Sequence, residues 1–177
     1  MADLDVDIRQ IEPGDRLTGL SLGDPDFQPL KTFVERDAKK YHQQNLAKTY
    51  AAFSDAGKLI AYVTMIAGEI TTERPEDLAP PDVVYHYKSY PAVKIARLAV
   101  DRRYRGTGLG AGLISFCLGM VKNAISPLIG CRFVVVDSKQ KSVGFYEKCG
   151  FTIIDTASNK ERPEPVMFID MDKIPDE

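Results

Sequence analysis

The chain is poor in the features that would narrow its role at once. Its 177 residues hold no apolar run near the roughly 18 residues that a membrane-spanning helix needs. Its three cysteines, Cys117, Cys131 and Cys149, are odd in number and show no CxxC spacing. That argues against a disulfide framework or a zinc site and fits a reducing compartment. The two histidines, His42 and His86, have no metal-ligand spacing and read as surface or loop residues. The first residues, Met1-Ala2-Asp3-Leu4-Asp5, are acidic and lack an apolar signal core, so a soluble cytoplasmic protein with no membrane partner is expected. A basic excess is also missing: 23 Lys+Arg against 25 Asp+Glu leaves a formal net charge of -2. Dedicated nucleic-acid binders draw affinity from neutralised phosphates, so this balance argues mildly against that role.

What is present is ordinary globular composition, 44% hydrophobic and 27% charged, which excludes disorder and fibres. No repeat or low-complexity linker is visible, so residues 1–177 are expected to form a single domain. Val6 to Ile11 alternates as a short strand does. Phe27 to Leu46 reads as a helix, with Leu30, Phe33, Val34, Ala38, Tyr41 and Leu46 on one stripe. Strands follow at Thr49 to Phe53 and Lys58 to Ala67, joined by the turn residues Ser54-Asp55-Ala56-Gly57. Residues 69–90 break the pattern as a long loop with Pro75, Pro80, Pro81 and the acids Glu69, Glu73, Glu76, Asp77 and Asp82, against Arg74 and Lys88. Then come a strand at Val93 to Val100 and a deeply packed helix from Gly108 to about Ile125. A central strand is read at Phe133 to Val136 and a short helix at Lys141 to Cys149, with Gly150 placed to end it in a left-handed conformation. The last strands are Phe151 to Ile154 and Val166 to Met171. This order predicts an α/β chain with a mixed sheet and helices on both faces.

One segment carries chemistry: Arg103-Tyr104-Arg105-Gly106-Thr107-Gly108-Leu109-Gly110. It leaves a strand at Val100 and enters a helix near Gly108. The first N–H groups of a helix lack internal partners and carry partial positive charge, so this junction suits an anion. Glycines let a ligand approach the backbone, and Arg102, Arg103 and Arg105 add charge for phosphate oxygens. The spacing is not that of an ATP-binding P-loop. A dinucleotide fingerprint would need glycine at 111, which is alanine.

Arg103-x-x-Gly106-x-Gly108 instead matches R/Q-x-x-G-x-G/A, and here the chain resembles the GNAT family of N-acetyltransferases. In that family this turn cradles the pyrophosphate of acetyl-CoA. Phe145-Tyr146-Glu147-Lys148-Cys149-Gly150-Phe151 is similar to the family's F-Y-x-x-x-G-F signature, at the expected distance downstream. The resemblance covers nearly the whole chain in element order, with specific motifs confined to residues 94–151. It implies a mixed, mostly antiparallel sheet of six to seven strands with a splayed parallel pair. It implies acetyl-CoA as co-substrate, no metal, and Tyr146 as general acid for the departing thiolate. It also implies cofactor contacts from Leu98, Ala99, Val100, Arg103, Arg105, Gly106, Thr107, Gly108, Leu109, Gly110, Ala111 and Lys139. The pantetheine arm is expected beside Leu98 and Val100 on one side and Val135–Asp137 on the other.

The chain departs from the family in two places. The strand Val93-Lys94-Ile95-Ala96-Arg97-Leu98-Ala99-Val100 holds no glutamate to serve as base, and Lys139 replaces a usual asparagine. Glu69 is a distant substitute for the base and reads rather as an exposed loop acid. Cys149 reads as packing rather than an acyl carrier.

The acceptor is expected to be an amine: a small molecule, a peptide lysine or an aminoacyl-tRNA. Asp26-Phe27, Leu30, Phe33, Ala38, Gln43-Gln44 and Leu46-Ala47-Lys48-Thr49-Tyr50, with Leu98-Ala99-Val100-Asp101, resemble the acetyltransferase toxins that modify aminoacyl-tRNA. The cations Lys31, Arg36, Lys39, Lys40 and Lys48 accompany them, interrupted by Glu35 and Asp37. A homodimer is compatible with the sequence. A non-catalytic acetyl-CoA sensor is the alternative of another class.

Overall fold

Alternating apolar residues draw the chain into strands, and these assemble as a 7-stranded sheet of order β1-β2-β3-β4-β5-β7-β6. The computed structural model describes residues 6–72, Leu78 and 88–175. The elements are β1 (Ile8–Gln10), α1 (Gln28–Arg36), α2 (Ala38–Gln43), β2 (Lys48–Phe53), β3 (Leu59–Thr71) and β4 (Ser89–Val100), then α3 (Leu109–Met120), β5 (Phe133–Asp137), α4 (Val143–Lys148), β6 (Thr152–Ile153), α5 (Ala157–Lys160) and β7 (Val166–Asp170). The sheet is mostly antiparallel, with β4 and β5 parallel. A parallel pair needs a crossover, and α3 supplies it. This is the mixed α/β architecture expected.

The chain forms two compact units, Met1–Ile66 with Ile95–Phe116 and Ala67–Lys94 with Cys117–Glu177. The first has a core of Leu20, Leu22, Phe33, Val34, Ala51, Leu59, Tyr62 and Ala99. Two buried hydroxyls cross from β2 to β3: Thr49 Oγ1 and Thr64 Oγ1 lie 2.8 Å apart, so each satisfies the other. The β2–β3 hairpin turns where expected. Gly57 takes φ 69° and its N–H donates to Ser54 O at 2.7 Å. The second unit centres on Ile70, Tyr90, Phe133, Val135, Ile154 and Phe168, with Leu78 packed among them. The Phe133 ring meets Tyr90 and Phe168 edge-on, at 5.6 and 5.8 Å.

Several element boundaries differ from the sequence reading. The helix expected over 27–46 is two helices that meet at Asp37, whose φ of -115° is stretched from the usual helical value while its N–H still donates to Phe33 O at 2.8 Å. Asn45 at φ 57° then ends α2, and the N–H groups of Asn45 and Leu46 reach back to His42 O and Tyr41 O. Asparagine tolerates this left-handed position better than other non-glycine residues. The chain turns away there, so Leu46 is 58% exposed rather than part of the apolar stripe.

The helix after the glycine turn changes winding at Val121–Ile125 into a π-helical turn, closed by Ser126 N–H to Val121 O at 2.8 Å. Strands β3 and β4 run to Thr71 and from Ser89, into both ends of the span read as a 69–90 loop, and Glu69 is an exposed strand residue. Glu73, Arg74, Pro75, Glu76, Asp77, Pro80, Pro81, Asp82 and His86 lie outside the described residues. Helix α5 is an addition. Thr156 Oγ1 caps it, and buried Asn159 joins Ile154 O and both polar groups of Val166.

Candidate functional site

The anion turn is built on β4, where Leu98 and Val100 are half-buried and Ala99 buried. The strand ends at Asp101, whose carboxylate is wholly buried. A buried carboxylate must be hydrogen-bonded, and this one is. Oδ1 accepts from Arg103 N at 3.0 Å and from Arg103 Nε at 2.8 Å. Oδ2 accepts from Arg103 Nη2 at 2.8 Å and from Ser21 N at 2.9 Å. The guanidinium beside it holds the Asp101 carboxyl well below the usual range, and the same pairing raises Arg103. Arg105 Nη2 donates to Leu22 O at 2.6 Å and its guanidinium sits 5.6 Å from the Phe27 ring. Thr107 Oγ1 donates to Tyr104 O at 2.7 Å.

Gly106 and Gly108 adopt φ 77° and 87°, the region that disfavours side chains, and nothing lies within 4 Å of where either Cβ would stand. Helix α3 begins with Gly112 N–H to Gly108 O at 2.9 Å. Leu109 is buried, Gly110 half-buried and Ala111 exposed. Among the described residues, no acceptor meets the N–H groups from Gly106 to Ala111. The turn therefore presents a row of backbone donors on an open surface, the arrangement that the sequence reading attached to an anion.

Tyr146 belongs to the second unit. The F-Y-x-x-x-G-F signature has a physical content: it is a helix stop. Gly150 N–H donates to Glu147 O and Phe151 N–H to Tyr146 O, both at 3.0 Å, with Gly150 at φ 93°. This doubly bonded C-terminal cap is normally sealed by an apolar contact across it. Here the contact is Tyr146 on Phe151, ring centroids 5.4 Å apart. Phe145 flanks Tyr146 at 5.1 Å. The Tyr146 ring is buried, yet among the described residues its hydroxyl has no hydrogen-bond partner. Tyr62, a fully buried tyrosine, differs: its hydroxyl donates to Leu30 O at 2.6 Å. Burial, with Cys149 and Cys117 nearby, pushes the Tyr146 phenol up.

Lys139 lies at the start of the turn into α4 and pairs with Glu164 at 3.5 Å. Of the weaker candidates, Cys117 is buried and its thiol is pushed up to about 12, and burial also raises Cys149. Neither forms thiolate readily at neutral pH. His42 is not the isolated surface residue expected. Its Nδ1 accepts from Thr49 N at 3.1 Å and its Nε2 meets Gln10 Oε1 at 3.2 Å, tying α2 to β1 and β2. Among the described residues no His, Cys, Asp and Glu group could hold a metal ion, and no helix is long and apolar enough to cross a membrane. Sequence reasoning ran the turn through Asp101 but gave it no role, and it missed residues 20–23 as parts of the turn. The Asp101-x-Arg103 spacing was the available signal, since an aspartate two residues ahead caps a turn.

A mixed sheet whose β4 ends in an arginine–glycine turn at a helix N-terminus defines the class of acyl-carrier-dependent transferases. Residues 20–151 match the acetyltransferase (GNAT) family, and the chain belongs to that family and is an acetyltransferase. A tRNA-acetylating toxin of Mycobacterium tuberculosis (strain ATCC 25618 / H37Rv) is 27% identical over 152 residues, spanning 84% of this chain and 85% of that protein. A tyrosine-to-phenylalanine mutant of KacT superposes with a TM-score of 0.78 at 21% identity, over 94% of this chain and 95% of that one. AtaTR bound with acetyl-CoA gives 0.74 at 22% identity, over 95% of both chains. These two likenesses are of fold.

Proposed function

We propose that the chain moves the acetyl group of acetyl-CoA to a primary amine by direct attack, with Tyr146 as general acid. The observation that carries this reading is the Tyr146 hydroxyl, set on a buried ring and without a partner among the described residues. A packing tyrosine spends its hydroxyl as Tyr62 does; a proton donor keeps it free. The bound acetyl-CoA in AtaTR supports the choice of donor. The donors from Gly106 to Ala111 would hold the pyrophosphate and the backbone of Leu98 to Val100 the pantetheine amides, and Lys139 would suit a phosphate. The thioester carbonyl is polarised by a backbone N–H of that strand. The amine nitrogen attacks the carbonyl carbon, the C–S bond breaks, the thiolate takes the Tyr146 proton, and the proton shed by the new amide nitrogen passes to solvent water, which reprotonates the phenolate. A raised phenol pKa keeps that proton in place across the working pH range.

As acceptor we propose the free amine of an aminoacyl-tRNA, for which the relation to a tRNA-acetylating toxin over 84% of the chain speaks. Strand β4 offers no acid, and an aminoacyl ester amine has a lowered pKa that needs less help from a base. Incubation with acetyl-CoA and pooled amines, peptides and charged tRNA, read by mass spectrometry, tests both levels. Acetylated aminoacyl-tRNA is expected. Acetylation of another amine alone overturns the acceptor. Tight acetyl-CoA binding without turnover on any acceptor leaves a sensor and overturns the enzyme reading.

A further inference from the structure

A buried carboxylate beside the turn has more partners than an ordinary cap requires. Asp101 spends every polar atom: its carboxylate takes Arg103 and Ser21 N–H as above, its N–H donates to Ile60 O at 2.8 Å, and its carbonyl accepts from Tyr104 N at 2.9 Å. The segment ahead of α1 is fastened to the same turn at further points. Arg102 N–H donates to Ser21 O at 2.8 Å, and Arg105 holds Leu22 O. Gly23, at φ 73°, leaves room for the Arg102 side chain, whose Cδ lies 3.3 Å from where a Cβ would be. Arg103 is 59% exposed, yet its fork is aimed inward at Asp101. A guanidinium engaged by two parallel bonds to a carboxylate offers little net charge to a phosphate.

We propose that Asp101 is a positioning residue for donor binding: through Arg103 and the 20–23 segment it holds the turn so that the N–H groups of Gly106 to Ala111 converge on one anion. This rests on the donor reading above. Arg103 acts as the lock of the turn, and the backbone binds the pyrophosphate. Left-handed glycines at 106 and 108 are free to relax when one end of the turn is released, which scatters the donors and weakens binding without touching the reacting atoms.

The test compares wild type with Asp101→Asn, Arg103→Gln and Arg103→Lys. CoA affinity is measured by calorimetry, and KM and kcat are measured with pooled aminoacyl-tRNA. Asp101→Asn is expected to raise Kd and the acetyl-CoA KM about tenfold, with kcat at saturating donor within about twofold. Lysine keeps the charge of Arg103 and loses its fork, so Arg103→Lys is expected to lose as much as Arg103→Gln. Retained affinity in Arg103→Lys alone means direct phosphate contact and overturns the proposal, as does wild-type Kd in folded Asp101→Asn. Should Asp101→Asn fail to fold, the two Arg103 variants decide. No CoA binding by wild type overturns the donor reading itself and is distinguishable from both.

Discussion

At the scale of single residues, Tyr146 and the turn glycines carry the separable claims. Tyr146→Phe keeps the ring against Phe145 and Phe151, so the fold and the CoA affinity are expected to survive. Removing a general acid costs about a hundredfold or more in rate. Steady-state thiol release should show that loss in kcat, with a calorimetric Kd near wild type; a parallel loss of affinity would assign Tyr146 to binding instead. Gly106→Glu puts bulk, a strained φ and a negative charge where the donors face outward. It should abolish CoA binding in a protein that still melts cooperatively. The sequence singled out both residues because their motifs are local, and glycine at a fixed offset has few readings. That the Tyr146 hydroxyl has no partner among the described residues was not legible, since a hydroxyl's partner depends on what the rest of the chain brings near it.

At the scale of elements, stops proved as informative as periodicity. Gly150 was expected to end α4 in a left-handed conformation, and it does, at φ 93°. The same logic at Asn45 went unread because apolar residues continued to Leu46 and masked the stop. Gly150→Ala is expected to lower stability by about 1–2 kcal/mol, the left-handed penalty for a residue with a Cβ. Chemical denaturation should show it. Because the cap fixes the end of the helix bearing Tyr146, kcat should fall with it while CoA Kd holds. Strands β3 and β4 outran their predicted ends because pairing with neighbours extends a strand past its own alternation.

At the scale of the whole molecule, charge and pH govern behaviour. Of the cations on the first helices and β2, Lys31 lies 4.0 Å from Glu35, Lys39 donates to Pro13 O at 2.7 Å and Lys48 donates to His42 O at 3.1 Å. With a net charge of -2 and these cations engaged inside the fold, few phosphate contacts and little counterion release are expected on meeting RNA. The KM for aminoacyl-tRNA should therefore rise less than about a hundredfold between about 50 and 200 mM salt, below the change for a basic binder with many phosphate contacts. Acid should destabilise the fold in two windows. Burial and Lys48 hold His42 below its usual value, and only the neutral ring accepts the Thr49 N–H. Its contribution is complete above the unfolded value of about 6.5 and is lost as pH falls below it. Asp101 is also depressed, so its contribution is complete above the unfolded value of about 3.9 and is lost only at lower pH. Thermal melts from neutral to acid pH should show both losses. In His42→Gln the first should vanish and the second remain.

By itself the sequence determined the order of the strands, the arginine–glycine turn ahead of α3 and the helix stop before Phe151, but neither the break between α1 and α2 nor α5. Each rests on residues close in the chain, where periodicity and glycine geometry act directly. Tertiary structure alone decided what Asp101, Arg103 and His42 do and left the Tyr146 hydroxyl without a partner among the described residues. A buried polar group takes whichever partner folding delivers: the N–H that completes Asp101 comes from Ser21, 80 residues earlier, and no local pattern announces a contact at that distance.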